Sequence, residues 1–573
     1  MATALRAFVT AALGCLFVGE GVLAQERDRD RRARAHAVRA QQQFESYRRR
    51  QLPVTYGRYW SNDCDLRIGR FCYWHDEADD PPPEPERIAT ARARFLSALD
   101  SVALRAPEDG WILGQRVRYL VEAGRGADAL RAATACSAEP WWCAALAGFA
   151  QHALGDYSAS DSAFARSVAA MAPADRCRWT DLSDLLPDGF HRTYRAVPCA
   201  RRDSINAHIW WLADPRWSSA GNDLRSEFYA RLTMAALVRQ ARSAHDMVWG
   251  DDMAELMLRY GWPTAWSRSP PSAYDLARIS VVGHDPAPSF EFIPNAEALR
   301  NPLHSEVTDW TPLAERPTTR YAPAYAKYFR ELTPQVAWFA RGDSAAVVVG
   351  YDVRIERDTV FTRDSVEAAV VLSRAPSDIA LARSSMGARR GALIVPAPRD
   401  SILLSVEISD SAARAVARGR LGIRPPVDSA ISDLLLFDGA DGLPETFEGV
   451  AERALGALTV GRDAPFGVYW ELYGALAQAR DVTYSITVEP ASPSILRRLA
   501  ERARLTQPMR SVQLMFDDAR AAASRSLIVD VSHIPAGRYR LTLRVSTGET
   551  STQTSRDIVV RDRSLVASAQ RPH

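Results

Sequence analysis

The residue pattern changes character after Thr333, and that change limits the fold more than any other feature of the chain. From there come "AAVVVGYDVRI", "VEAAVVL", "GALIVP", "SILLSVEI", "DLLLF", "FGVYWELYG", "VTYSITVE", "SLIVDVS" and "GRYRLTLRV". Each block is strand-length, rich in β-branched residues and often alternating, with Gly, Pro or Asp between most of them. Regularly spaced strands of this kind predict β-sandwiches. The run from Val336 to Leu543 is long for one sandwich, so two are expected, dividing near Gly439 to Val460. "SHIPAGRYRLTLRV" reads as a turn entering an immunoglobulin-like edge hairpin, and Arg497 to Gln507 as a helical insertion.

Before that change the spacing is helical. From Arg87 to about Met171, Ala and Leu recur three and four apart. "YLVEAGRGADALRAA" and "FAQHALGDYSASDSAFARS" each place a small residue at a turn ahead of an amphipathic helix. Gly148, Gly155, Tyr157 and Phe164 fall at tetratricopeptide-repeat spacing, so two or three degenerate repeats are expected. Trp141 and Trp142 are candidates to line a groove there, with core packing as the alternative. Asp203 to Arg242 is helical again, with Ser219 or Asn222 as N-cap. Glu255 to Tyr260 reads as a short strand stopped by Gly261-Trp262-Pro263, and Ser269 to Tyr321 as a proline-rich wrapping segment.

The first 24 residues read as an export signal: Arg6, the apolar run Ala7 to Val18, and Val22-Leu23-Ala24 before Gln25. Cys15 leaves lipid anchoring open. No later run reaches the roughly 18 apolar residues of a membrane helix. Six cysteines then remain, and an even number in an exported chain predicts disulfides. Their spacing nominates the local pairs Cys64–Cys72, Cys136–Cys143 and Cys177–Cys199. No two cysteines and no histidine pair have zinc-ligand spacing, so no metal is expected. Lys+Arg 71 against Asp+Glu 69 gives a net charge of +2, which carries no bias toward nucleic acid.

The central region carries a recognisable set of residues. Trp211, Asp214-Pro215, Asn222, Arg225, Glu227, Tyr229 and Arg231 lead into "VWGDD", where Trp249 and Asp252 stand, and then "LRYGWP" with Tyr260, Gly261 and Pro263. This set resembles the GWxTD family of exported bacterial proteins. Val248 and Asp251 replace the Gly and Thr of the name motif, Met253-Ala254 its usual Arg-Gly, and Thr264 the aspartate after the proline. The resemblance implies export and architecture and carries over no active site.

The chain is thus expected to be a multidomain α plus β protein. A signal peptide (1–24) precedes an N-terminal helix and disulfide-stapled loop (25–82) and a tetratricopeptide-like helical domain (83–202). A GWxTD-like helix–strand and connecting region (203–334), two immunoglobulin-like β-sandwiches (335–445 and 446–562) and a disordered tail (563–573) follow. Asp251 and Asp252 invite a catalytic reading, but neighbours entering a strand point to opposite faces. The expectation is that one caps a turn or the next element while the other pairs with an arginine such as Arg225, Arg231 or Arg259, the couple being sealed inside. Trp262 and Trp266 flank the turn as candidate binding residues. Arg341 to Ala346 holds a Gly-Asp-Ser without a partner base, and no Gly-x-Ser-x-Gly or His-Glu-x-x-His occurs. The expected function is a non-catalytic, exported envelope scaffold that binds a protein partner in the periplasm, at the outer membrane or outside the cell, with no cofactor. The alternative is a hydrolase or carbohydrate-binding protein acting on envelope glycan or peptide near Asp251, Asp252, Trp262 and His284.

Overall fold

The computed structural model describes residues 28–55, 64–75, 80–269, 280–285, 290–314, 317–354, 360–426, 430–491, 511–548 and 550–562, the side chains of 383 and 384 excepted. The expected signal segment, Cys15, the 497–507 helix and the C-terminal tail lie outside these residues. The chain divides into two compact units. One holds residues up to Pro215 with Ser219–Ile293 and Ala314–Ala324; the other holds Arg216–Ser218, Pro294–Leu313 and everything from Tyr325.

The first unit is helical. Helix α1 spans 28–51, and after the small hairpin β1 (Leu66–Ile68) and β2 (Phe71–Tyr73) come α2 (Glu86–Ala103), α3 (Gly110–Glu122), α4 (Gly126–Thr134), α5 (Pro140–Ala153) and α6 (Tyr157–Ala170). Gly124 and Gly155 adopt left-handed φ of 70° and 76° in the turns after α3 and α5, a geometry that favours glycine. A Cβ on Gly148 would sit 3.0 Å from the Phe164 ring, so the missing side chain lets α5 and α6 approach. The layer continues through α7 (Pro173–Trp179), α8 (Asp188–Arg195), α9 (Asp203–Ala213), α10 (Asp223–Arg239) and α11 (Asp251–Tyr260), and ends in the hairpin β3 (Ala265–Arg268) and β4 (Val281–His284). Asn222 caps α10 by accepting the Arg225 N–H at 2.8 Å. That helix is buried on nearly every face. Disulfides join Cys64–Cys72, Cys136–Cys143 and Cys177–Cys199, all in this unit.

One expectation fails here. Glu255–Tyr260 is the second half of helix α11, not a strand. Met253, Met257 and Tyr260 are its buried residues, at the four-and-three spacing of a helix face. Asp251 and Asp252 supply the acids of its first turn.

The second unit is mainly β, with α12 (Ala296–Arg300), α13 (Phe447–Glu452) and short 3-10 turns such as Val307–Trp310 among its described residues. Strands β5 (Tyr328–Glu331), β6 (Gln335–Arg341), β7 (Ser344–Asp352), β8 (Ser365–Ser373), β9 (Ile379–Ala388), β10 (Arg390–Pro398), β11 (Ile402–Asp410) and β12 (Ala415–Ile423) build the first sandwich. Its sheets run β10-β7-β6 and β5-β12-β11-β8-β9, closed over Val347, Val349, Val370, Val395 and Val406. Strands β13 (Leu435–Asp438), β14 (Thr459–Gly461), β15 (Phe466–Glu471), β16 (Arg480–Pro490), β17 (Val512–Arg520), β18 (Ser524–Val529), β19 (Gly537–Thr547) and β20 (Thr550–Arg561) build the second. Its sheets run β13-β15-β18 and β14-β20-β19-β16-β17, around Trp470 and Tyr484.

The boundary between the sandwiches differs from the expected one. Strand β13 pairs with β15, so the second sandwich begins ahead of residue 435 and not at 446. The β19–β20 hairpin is interior and not an edge, because β16 pairs with β19 and β14 adds in parallel to β20. Ser344 of the Gly-Asp-Ser simply opens β7, its hydroxyl donating to the Arg341 carbonyl at 3.0 Å. Glu407, fully buried, accepts the Trp217 and Ser218 N–H groups at 2.9 and 3.0 Å. Beside it the Arg420 guanidinium lies 3.8 Å over the Trp217 ring. This hub fastens the Arg216–Ser218 segment to the outer face of the five-stranded sheet.

Candidate functional site

In the helical unit four stretches distant in sequence converge on one cleft of about 580 Å³. The stapled hairpin contributes Phe71, Tyr73, Trp74 and His75, and the end of α11 contributes Tyr260, Gly261, Trp262 and Pro263. The β4 strand adds Val281 to Gly283, with Arg320 from the returning segment. Tyr73 stacks on Tyr260 at 4.2 Å between ring centroids, and Trp262 leans on Phe149 at 5.7 Å.

The sequence motif residues hold this cleft in place. Arg231 Nε donates to Glu227 at 2.6 Å, and its Nη1 donates to the Leu258 carbonyl at 2.9 Å, while Nη2 donates to the Arg320 carbonyl. One guanidinium therefore ties α10 to the last turn of α11 and to the returning segment that carries Arg320. Gly261 follows with φ 86°, and its Cβ position lies 3.4 Å from Arg231 Nη2. Pro263 packs where a Gly283 side chain would stand. Tyr260 donates to the Pro317 carbonyl at 3.1 Å, and Arg259 Nε to that of Thr318 at 2.9 Å. Burial pushes the Glu227 carboxyl up, but the Arg231 guanidinium and the His152 ring outweigh it and hold it down at about 2.

One aspartate of the pair does meet an arginine, but the partner is neither Arg225, Arg231 nor Arg259, and the couple is not sealed inside. Asp252 pairs with Arg70, 182 residues away in sequence, accepting from Nε and Nη2 at 2.7 Å each and from the Arg70 backbone N–H at 3.0 Å. Those hydrogen bonds hold its carboxyl well below the usual range. Asp251 is exposed. The pair is thus neither sealed inside nor convergent. Arg225 pairs instead with Asp161, Nε to Oδ1 at 2.7 Å, and Arg259 pairs with Glu255. Adjacent positions on a helix diverge by about 100°, so the two acids share no focus.

The remaining candidates fall in separate places. Trp266 lies on β3, edge-on to His245 at 4.7 Å. His284 is buried, its Nε2 2.7 Å from Ser267 Oγ. Trp211 and Asp214 are buried at the end of α9. Trp249 is half-buried ahead of α11, lining another hollow with Val238 and Met253. Trp141 and Trp142 line a smaller cavity of about 300 Å³ with Trp111. Their indole N–H groups donate to Glu139 at 2.5 Å and to the Gly110 carbonyl at 2.8 Å.

Several contributors carried no sequence signal. His152 Nδ1 lies 2.6 Å from Ser226 Oγ, and its Nε2 lies 2.6 Å from Glu227 Oε2. The order Ser–His–Glu invites comparison with a hydrolase relay. Here Ser226 is fully buried, and its hydroxyl lies 2.8 Å from Ser160 Oγ. A nucleophile must reach its substrate, and this one joins α5, α6 and α10 in the interior. Burial pushes the Glu291 carboxyl up to about 7, although the Thr318 N–H donates to it at 3.1 Å. Burial pushes the His245 ring down to about 4. Among the described residues no three His, Cys, Asp or Glu side chains gather as a metal site needs, and no helix is long and apolar enough to cross a membrane.

No family model matches the sequence, and no curated protein matches it. Solved structures similar to parts of the chain include the native conformation of E. coli alpha-2-macroglobulin, at 10% identity and a TM-score of 0.15, covering 40% of this chain and 16% of that one. Salmonella alpha-2-macroglobulin reacted with methylamine matches at 8% identity and a TM-score of 0.18, covering 43% of this chain and 25% of that one. The FN1–FN3 domains of chicken CNTN1 match at 11% and 0.14, covering 42% and 71%. The chain thus spans a quarter or less of the two macroglobulins.

Proposed function

We propose that this chain is an exported, non-catalytic binding protein of the cell envelope, with the aromatic cleft as the site that holds a protein partner. The carrying observation is the division of labour around that cleft. Glu227, Arg231 and Asp252 of the central motif are committed to backbone groups and ion pairs, and the rings of Phe71, Tyr73, Trp74, Tyr260 and Trp262 line the cleft alongside Arg70, His75, His245, Asp285 and Arg320. A catalytic site instead needs titratable groups converging on one reacting atom. Three disulfides support an oxidising compartment and hence export. Clustering of Glu227, Arg231, Tyr260, Gly261 and Pro263 around one feature supports the GWxTD-like reading of the central region. The β-sandwiches serve as scaffold.

The test is quantitative crosslinking mass spectrometry on intact cells, comparing the native chain with a Tyr73→Ala/Trp262→Ala variant of equal expression. The expected outcome is one protein crosslinked near 71–75 and 260–263 and lost in the variant. A crosslink pattern indifferent to both substitutions overturns the proposal.

A further inference from the structure

We infer that the cavity bounded by α3, α5 and α10 is a second binding site, and that it takes a small organic cation carrying an alkylated ammonium group. This cavity of about 300 Å³ shares no lining residue with the aromatic cleft, and its occupant does not depend on what that cleft holds. Its size lies at the lower end for small-ligand pockets. Its walls are Arg34 on α1 and residues of the continuously described stretch 80–269. Three indoles line it: Trp111 at the start of α3, and Trp141 and Trp142 in the first turn of α5.

Local chemistry fixes the three rings. The Cys136–Cys143 disulfide closes the turn from which α5 starts. Cβ atoms on Gly110 and Gly114 would each sit 3.1 Å from the Trp142 ring, so these two glycines of α3 make room for it. The Trp141 and Trp142 rings stand 5.4 Å apart at 60° to one another, as two walls of a cage do. All three indole N–H groups are spent. Trp111 donates to the Gln240 carbonyl at 3.0 Å, Trp142 to that of Gly110 at 2.8 Å and Trp141 to Glu139 at 2.5 Å. What the rings still offer is their faces, which are electron-rich and attract cations.

Charge selects among the ligands that stack on indole. The chain's own Arg34 guanidinium sits 6.0 Å over the Trp111 ring, at the reach of a cation–π contact, so one face of the cavity already carries a cation. That charge is offset by Asp109 at 3.7 Å. The two lining carboxylates, Glu108 and Glu139, have no ion-pair partner among the described residues. Two unneutralised acids therefore stand beside the Trp141 and Trp142 faces. An anion is repelled there, and a neutral ring gains nothing from the charge. A primary ammonium is strongly hydrated and loses that water on entering. An alkylated ammonium uses both features, since its charge is met by the carboxylates and its methyl groups pack on the rings.

The experiment is a ligand-observed proton NMR titration of the full chain with choline, with its neutral isostere in which carbon replaces nitrogen, and with ethanolamine. Saturable binding of choline is expected, its methyl signal moved upfield by the ring currents, with the other two at least about tenfold weaker. Trp141→Leu should weaken choline about tenfold. Glu108→Gln/Glu139→Gln should weaken it about fivefold with an unchanged melting temperature, because both carboxylates are exposed. Trp262→Ala, in the other cleft, should leave it unaltered. Phosphatidylcholine and phosphatidylglycerol vesicles separate the two sources of this chemistry. Retention on the first alone assigns the site to a lipid headgroup, and retention on neither, with choline bound, to a free solute. Absence of choline binding, equal binding of the isostere or of ethanolamine, or loss only with Trp262→Ala overturns the inference and leaves the protein-binding role of the aromatic cleft to the crosslinking test.

Discussion

The two units solve the same problem by different means. In the helical unit, order comes from cross-links and charge pairs that reach across the sequence. Three disulfides lie there, with Arg48 on Glu122 at 2.6 Å, Arg231 on Glu227 and Arg70 on Asp252. In the β unit the two cores are runs of alternating Val, Leu and aromatic side chains, and no cysteine is present. Alternation buries one face of each strand automatically, so a sandwich needs little else. A layer of short helices interrupted by irregular segments leaves many backbone ends to satisfy. It meets that need with arginines donating to carbonyls. Around the cleft of the helical unit those charges act as brackets between elements.

The contrast is open to attack, most strongly at the cross-links. Cleaving all three disulfides should cost the helical unit about 2–4 kcal/mol per bridge and leave the β unit unchanged. Urea unfolding followed by residue-resolved hydrogen exchange, with and without a dithiol, separates the two. Equal losses in both units break the comparison. The converse is Trp470→Ala. That ring is fully buried in the second sandwich, so a cavity there should cost about 3–5 kcal/mol, read as a lower urea midpoint for the β unit alone.

Acidity sharpens the comparison next. Glu227 titrates at about 2 in the fold against an ordinary 4.5. Its contribution is complete above 4.5 and lost as pH falls toward 2, on the order of 3 kcal/mol. Glu291 has the opposite sign. Raised from 4.5 to about 7, it contributes fully below 4.5 and loses that contribution as pH rises through 7. His245, lowered from 6.5 to about 4, runs against Glu291 over that interval, so single variants are needed to separate them. In unfolding measured against pH, Glu227→Gln should flatten the acid limb of the helical unit and Glu291→Gln the limb toward neutrality. The smallest effect belongs to Arg70→Ala. Its guanidinium is exposed on one side, so overall stability should barely change. Amides 71–75 should nonetheless exchange faster. Unchanged exchange there shows that the Asp252 pair does not hold the cleft wall.

Legibility from sequence divides along the same line. The strand blocks after Thr333 were readable because alternation is local, and "FGVYWELYG" became β15 as its pattern implies. The sandwich boundary was misplaced because "DLLLF" shows a strand without showing which partner it pairs with. Helix α11 was misread, although Gly250 ahead of two acids, Met253–Met257–Tyr260 and a closing Gly261 together form a helix signature. The short alternating appearance of Glu255 to Tyr260 won over it. The cleft was only half legible. Trp262, Gly261 and Pro263 stood out, whereas Tyr73, His75 and Arg320 reach it from far along the chain, and no local pattern records such an approach. The Arg231 bracket was visible as a motif and invisible as geometry, because two of its three acceptors are backbone carbonyls.

The central claim is that the motif carboxylate Glu227 supports the cleft through Arg231. Hydrogen exchange of the full chain carrying Glu227→Gln tests it without any ligand. Faster exchange is expected at 258–261, 318–321 and 71–75, with α2 to α4 and the sandwiches unchanged. A change confined to α10, or spread evenly over the helical unit, contradicts it.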